Sequence, residues 1–249
     1  MIKPTLQTSP PQTAQEQLSV LVVGASRGIG AATAQRYLEE GYLVAGTHRV
    51  GGSVPEGVVP FVADVRARAE VAAAVKGASA HFGGRLDVLV YNAGLARQDL
   101  LLRMSEEALG EVMETNLYGA VWAVQAAQLV MSRHRSGSIV LISSESSRTG
   151  IPGSAHYTAS KAALEGLIRS AMWELGGRGI RINGVAPGPT ETDMLAKIEA
   201  ADRQKLVESS PLGRIGDPAE VAEAIMRVSE LTYLNGALIP VTGGEGLGF

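Results

Sequence analysis

The chain contains no cysteine, which excludes disulfides, zinc ribbons and thiolate catalysis together, although that absence does not by itself set the compartment. Aromatic residues make up only 4% of the 249, so a core must be built from Ala, Val, Leu and Ile rather than from rings. Basic excess is also missing. The 22 Lys and Arg stand against 25 Asp and Glu, a formal charge of −3 that offers no global field to nucleic acid or to an anionic membrane. No run of about 20 apolar residues exists to span a bilayer, and the opening MIKPTLQTSPPQTAQEQ lacks the apolar segment of a secretory signal. These absences predict a soluble, cytoplasmic protein with no nucleic-acid or membrane partner, and no metal site is expected.

What is present is an apolar fraction of 45%, enough to fill a sizeable core, over a length that α/β folds commonly reach as one domain. Residues 1–17, rich in Thr, Gln and Pro without hydrophobic period, read as a flexible tail carrying no chemistry, and 18–249 as a single domain. Seven β-rich runs follow: 19–23, 42–46, 58–62, 86–91, 138–143, 180–185 and 237–241. They are nearly continuous in apolar residues, and most of the segments between them exceed the dozen residues a parallel crossover needs. The pattern predicts a Rossmann-like, doubly wound parallel sheet with helices on both faces. Pro240 cannot donate to a ladder and places the last strand at an edge. Asp217-Pro218 reads as the N-cap and first turn of a helix. The segment 192–213, long and without strong caps, reads as a mobile lid over the substrate.

The first strand runs into Gly24-Ala25-Ser26-Arg27-Gly28-Ile29-Gly30 and then a helical pattern. Strand, glycine turn and helix together allow backbone to approach a pyrophosphate while the helix N-terminus points N–H groups at it, so a dinucleotide is expected. Proteins that bind NAD place an acid near the end of the second strand, to accept the ribose 2′-hydroxyl. Here that strand ends Gly46-Thr47-His48-Arg49, with no carboxylate, and Arg49 and Arg27 could clamp a 2′-phosphate; NADP(H) is the expected cofactor. Asp64, after the third strand, is a candidate for the adenine edge.

Tyr157 and Lys161 are four apart and share a helix face, placed by this reading opposite an apolar stripe through Leu164, Leu167, Ile168, Ala171, Met172 and Leu175. Ser144 follows the fifth strand and Asn92-Ala93-Gly94 the fourth, where open α/β sheets keep their active sites. Asn116 stands in an apolar helix where a poor helix former is unexpected.

These motifs, in this order, resemble the short-chain dehydrogenase/reductase family from about Ser19 to Phe249, with Pro187-Gly188 after the sixth strand. Two departures stand out. Val23 replaces the usual threonine that opens the cofactor motif, which could loosen the turn, and Tyr91 replaces the first asparagine of NNAG. Within the family, GASRGIG, PGPTETDM, the THR-containing loop and the glycine-rich C-terminus are most similar to bacterial 3-oxoacyl-acyl-carrier-protein reductases, the mycobacterial type above all. The resemblance implies NADPH-dependent reduction of a 3-oxoacyl thioester. Tyr157 would be the general acid, Lys161 would hold the nicotinamide ribose and lower the tyrosine pKa, Ser144 would bind the carbonyl, and Asn116 would hold a water for proton supply. The implied cofactor contacts are Gly24, Ser26, Arg27, Gly28, Ile29, Gly30, Thr47, His48, Arg49, Asp64, Val65, Asn92, Ala93, Gly94, Tyr157, Lys161, Pro187, Gly188, Thr190 and Thr192. It also implies a homotetramer, and an acyl carrier protein docked at Arg135 and Arg178. Two other readings remain open at this stage: a ketoreductase of polyketide or other secondary metabolism, and a dinucleotide-binding regulator without turnover.

Overall fold

The computed structural model describes residues 17–193, 195–197 and 199–246; the tail reading of 1–17 therefore lies, apart from Gln17, outside the described residues. The seven strands are β1 (Ser19–Val23), β2 (Leu43–His48), β3 (Val59–Val62), β4 (Val88–Tyr91), β5 (Gly137–Ile142), β6 (Ile180–Pro187) and β7 (Leu238–Val241). They form one sheet in the order β3-β2-β1-β4-β5-β6-β7, and every neighbouring pair is parallel. Pro240 lies on the edge strand β7, where its missing N–H costs no internal ladder bond. The helices are α1 (Gly28–Glu39), α2 (Arg68–His81), α3 (Glu106–Met113), α4 (Gly119–Met131), α5 (Ser146–Thr149), α6 (Ala155–Gly176), α7 (Ala200–Ser209) and α8 (Pro218–Glu230).

Strand periodicity of two feeds two cores. Leu21 and Val23 of β1 pack in one cluster with Val71 and Val75 of α2, Ala120, Ala123 and Ala127 of α4, and Leu164 and Ile168 of α6. Val20 and Val22 point the other way, to Ala34 and Tyr37 of α1 and Val221 and Ile225 of α8. A chain poor in rings closes these layers with small side chains, since alanines on α4 let helix and sheet approach. The start of α8 is as expected: the Asp217 carboxylate accepts from the Ala219 N–H at 2.8 Å, while Glu220 accepts from the Asp217 N–H at 2.9 Å.

Two expectations need correction. Lys161 does not face away from the Leu164 stripe: Lys161, Leu164, Ile168 and Leu175 are all buried on one side of α6, because steps of three, four and seven residues stay on one face of a helix with 3.6 residues per turn. The described residues of the 192–213 segment are partly helical. They include a 3₁₀ turn at Leu195–Lys197 and the ten-residue α7, whose described residues bury none of their side chains. Asn116 sits in a π-helical turn, Glu114–Tyr118, rather than in regular helix.

Candidate active site

The glycine turn is held from two sides. The Gly24 N–H donates to the Thr47 hydroxyl at 2.9 Å and the Ala25 N–H to the Thr47 carbonyl at 2.9 Å. From the other flank, the Asn92 amide donates to the Gly24 carbonyl at 2.9 Å. The loosening expected from Val23 is therefore absent, since a threonine on the neighbouring strand supplies the tie that the usual residue would make. Gly30 has no alternative here, as a Cβ would overlap the Gly24 carbonyl and the Asn92 amide. Helix α1 begins at Gly28 without a side-chain cap and without an acid in its first turn. Its leading N–H groups are thus left to an anion, and this cradle fits a dinucleotide pyrophosphate.

Around the turn, Ser26, Arg27 and Arg49 are exposed and Gly28, Ile29 and His48 half-buried. Arg27 pairs with Asp193 at 3.6 Å, so the segment after β6 reaches across to the glycine turn, and Thr192 lies beside Gly28. The Asp64 carboxylate is gripped by Arg66 at 2.7 Å, which with Arg49 holds it below its ordinary range. Val65, Ala93 and Gly94 border the cleft near Gly24, Lys161 and Gly119. Beyond β6, the Gly188 N–H donates to the Val241 carbonyl at 3.0 Å and the Thr190 hydroxyl to the Gly188 carbonyl at 3.0 Å, shaping the turn that follows Pro187.

Ser144 emerges from the end of β5 and Tyr157 from the first turn of α6; the Ser144 hydroxyl oxygen accepts from the Ser146 N–H at 3.2 Å and from the Ser146 hydroxyl at 2.9 Å. Burial pushes the Tyr157 phenol up, and the nearby Ser144 hydroxyl draws it partway back. Lys161 is almost wholly buried; its Nζ donates to the Ile142 carbonyl at 2.7 Å and lies 5.7 Å from the Tyr157 ring centroid. Burial pulls the ammonium down to about 8. Asn116, fully buried, accepts from the Leu95 N–H at 2.7 Å and donates to the Leu95 carbonyl at 3.0 Å and to Ser160 Oγ at 2.8 Å. Ser160 in turn donates to the Tyr157 carbonyl at 2.7 Å. The sequence reading missed Ser160. Its signal was the one that flagged Asn116: a poor helix former inside a helix, here directly before Lys161.

Arg135 and Arg178 are not near these groups. They flank the start of β5 and the end of α6, at the end of the sheet where the strands begin. Arg178 is exposed, but the Arg135 guanidinium donates to the Gly177 carbonyl at 2.9 Å, tying the β5 approach to the end of α6.

A parallel seven-stranded sheet with a glycine turn after β1, and a serine, a tyrosine and a lysine gathered past β5, defines a short-chain dehydrogenase/reductase. The chain belongs to that oxidoreductase family: residues 24–245 match the family described as Enoyl-(Acyl carrier protein) reductase. More particularly, it is 40% identical over 232 residues to the 3-oxoacyl-[acyl-carrier-protein] reductase MabA of Mycobacterium tuberculosis, covering 92% of this chain and 93% of that protein. It is 39% identical over 239 residues to the 3-oxoacyl-[acyl-carrier-protein] reductase FabG of Staphylococcus aureus, covering 91% and 97%. Among solved structures, a tyrosine-to-phenylalanine variant of ElxO with NADPH bound superposes with a TM-score of 0.85 at 29% identity, covering 92% of this chain and 98% of that one. Fold and family assign a nicotinamide dinucleotide as the cofactor.

Proposed function

We propose that the protein reduces the 3-oxo group of a thioester carried on acyl carrier protein, with NADPH as the reductant. The observation that carries this reading is the placement of Ser144 past the end of β5 and of Tyr157 at the start of α6, with the buried Lys161 Nζ 5.7 Å from the Tyr157 ring centroid. Two O–H groups placed there suit a carbonyl oxygen, which gains a proton on reduction, better than a carbon–carbon double bond. This favours the chemistry named for MabA and FabG over the enoyl substrate in the family description.

In this reading, Gly24, Ser26, Arg27, Gly28, Ile29 and Gly30 hold the pyrophosphate. Asp64, Val65, Asn92, Ala93 and Gly94 border the adenosine and ribose side, and Pro187, Gly188, Thr190 and Thr192 the nicotinamide side. Bound there, the nicotinamide supplies the hydride that the carbonyl carbon accepts. Ser144 hydrogen-bonds the substrate oxygen and orients it. Tyr157, kept protonated by burial, gives its proton to that oxygen as the C–O double bond becomes single. Lys161 keeps its positive charge most of the time near neutral pH; it steadies the phenolate left behind and holds the ribose. Asn116 anchors the water route through which the proton is restored.

Arg27 and Arg49, with no carboxylate at the end of β2, favour a 2′-phosphate; Thr47 serves the same site from beneath, by bracing the turn. For Arg27 this means exchanging Asp193 for the phosphate. Carrier docking on Arg178, supported by Arg135, requires a second chain. Helix α6 rises about 1.5 Å per residue, so Arg178 lies about 30 Å from Tyr157 of its own chain and would serve a neighbour's site in a homotetramer.

The test follows NADPH and NADH oxidation over 3-oxoacyl and enoyl thioesters, on carrier protein and on small thiols. The expected result is turnover of 3-oxoacyl substrates with a preference for NADPH that Arg49→Ala narrows about tenfold. Turnover of enoyl thioesters alone, or a preference for NADH, would refute the reading.

A further inference from the structure

Tyr91, which departs from the family's asparagine, ends β4 with its side chain only 1% exposed. Its phenol oxygen donates to the Thr115 carbonyl at 2.5 Å. That carbonyl belongs to the π-helical turn Glu114–Tyr118 and immediately precedes Asn116. In this turn the Gly119 N–H bonds back five residues to the Glu114 carbonyl, instead of four to Thr115. The wide turn displaces the ladder by one residue, and a side chain from the sheet meets the carbonyl next to the displacement. The approach is possible only because residue 119 is glycine: a Cβ there would overlap the Tyr91 phenol oxygen and crowd the Val65 carbonyl. Burial raises the phenol far above its ordinary range, so it stays a donor at every working pH.

We infer that Tyr91 is a positioning residue for the reduction, which pins the π turn and thereby fixes the amide of Asn116 against Leu95 and Ser160. The inference rests on the reductase reading above and extends it. The same strand end does two jobs: Asn92 braces the glycine turn, and Tyr91 braces the turn bearing Asn116. From Asn116 the order passes to Ser160 and on to the Tyr157 carbonyl, each link a hydrogen bond. Loosening the first link lets the Asn116 amide rotate, which disturbs proton delivery without touching the cofactor cradle.

Tyr91→Phe keeps the ring and removes only the donor. Steady-state kinetics of the full-length enzyme should show kcat down about tenfold, with the KM for 3-oxoacyl thioester and the Kd for NADPH within about twofold of the original. In an Asn116→Ala background the same change should add nothing, because the group it positions is gone. A second readout does not depend on turnover. Amide hydrogen exchange at Leu95, whose N–H bonds the Asn116 side chain, should speed up in Tyr91→Phe while exchange in β1 stays as it was. Unchanged kcat, a full additional loss in the Asn116→Ala background, or unchanged exchange at Leu95 would each overturn the inference. If the unaltered protein reduces no thioester, the reductase reading fails, and the Leu95 exchange comparison alone then decides whether Tyr91 positions Asn116.

Discussion

The two ends of the sheet treat buried polarity in opposite ways. At the start of the strands, Asp87 accepts from the Ser19 N–H and hydroxyl at 2.9 Å each and from Arg85 at 2.8 Å. Arg181 there donates to the carbonyls of Ser229 and Leu231 at 2.6 and 2.8 Å. At the finish of the strands, Lys161 is buried with no acid bonded to its ammonium and Glu145 beside Ser144 has neither carboxylate oxygen in a hydrogen bond, while His156 beside Tyr157 faces the Asp99 carboxylate at 3.4 Å with neither ring nitrogen in a hydrogen bond. Among the described residues, the start of the sheet leaves only serine hydroxyls, Ser132 and Ser138, in that condition. Buried charges met by several hydrogen bonds hold a fold, whereas those left with one or none, Lys161 and Glu145 here, destabilise it and persist where their altered proton affinity is useful. Burial accordingly raises the Glu145 carboxyl, as it does the Tyr157 phenol.

The comparison breaks most visibly at Tyr157. Tyr157→Phe should lower kcat by about a thousandfold or more, because only the transferable proton is lost, with NADPH affinity measured by titration nearly unchanged. A variant that kept most of its turnover would move the acid elsewhere. At the other end, Asp87→Ala should cost about 3 kcal/mol in a denaturant titration, by orphaning the donors that converge on it, while kcat per folded molecule stays the same.

Lys161 sharpens the contrast, since one residue should show both effects with opposite signs. Its folded pKa, about 8, lies below the ordinary 10.5, so the unfolded chain binds the extra proton throughout that interval and stability rises with pH across it. Below about pH 8 the buried lysine carries the full penalty, up to about 3 kcal/mol by the size of the shift, partly offset by its bond to Ile142. Lys161→Met should therefore abolish reduction yet melt at a higher temperature at pH 7, and its advantage should fade between pH 8 and 10.5. The smallest effect is expected far from the chemistry. Arg178→Glu should raise KM a few-fold for carrier-bound substrate and leave small thioesters alone, a difference that salt erases as screening shortens to about 8 Å. Equal slowing of both substrates would remove that arginine from recognition.

Much of this was legible in the chain alone, for reasons that can be traced to particular residues. The strands announce themselves because a sheet buried on both faces demands continuous apolar runs such as SVLVV and SIVLIS, and Pro240 marked the edge because it lacks a donor. Gly24, Gly28 and Gly30 were readable because backbone that must approach a phosphate tolerates no Cβ. Ser144, Tyr157 and Lys161 were readable through spacing and order along known elements.

What tertiary structure alone decided concerns partners distant in sequence. That Thr47 replaces the tie lost at Val23, that Ser160 links Asn116 to the catalytic helix, and that Tyr91 reaches the turn at Thr115 are contacts across crossovers, invisible to any local period. The burial of Lys161 was available from helical geometry, yet its depressed proton affinity was not. That depends on how completely β5 and α6 close around the ammonium, and desolvation is a property of the surrounding shell rather than of the residue. In the same way the sequence carried Arg135 and Arg178 as plausible anchors, and only the parallel sheet, which sends every strand's finish to one side, set them at the opposite end from Tyr157.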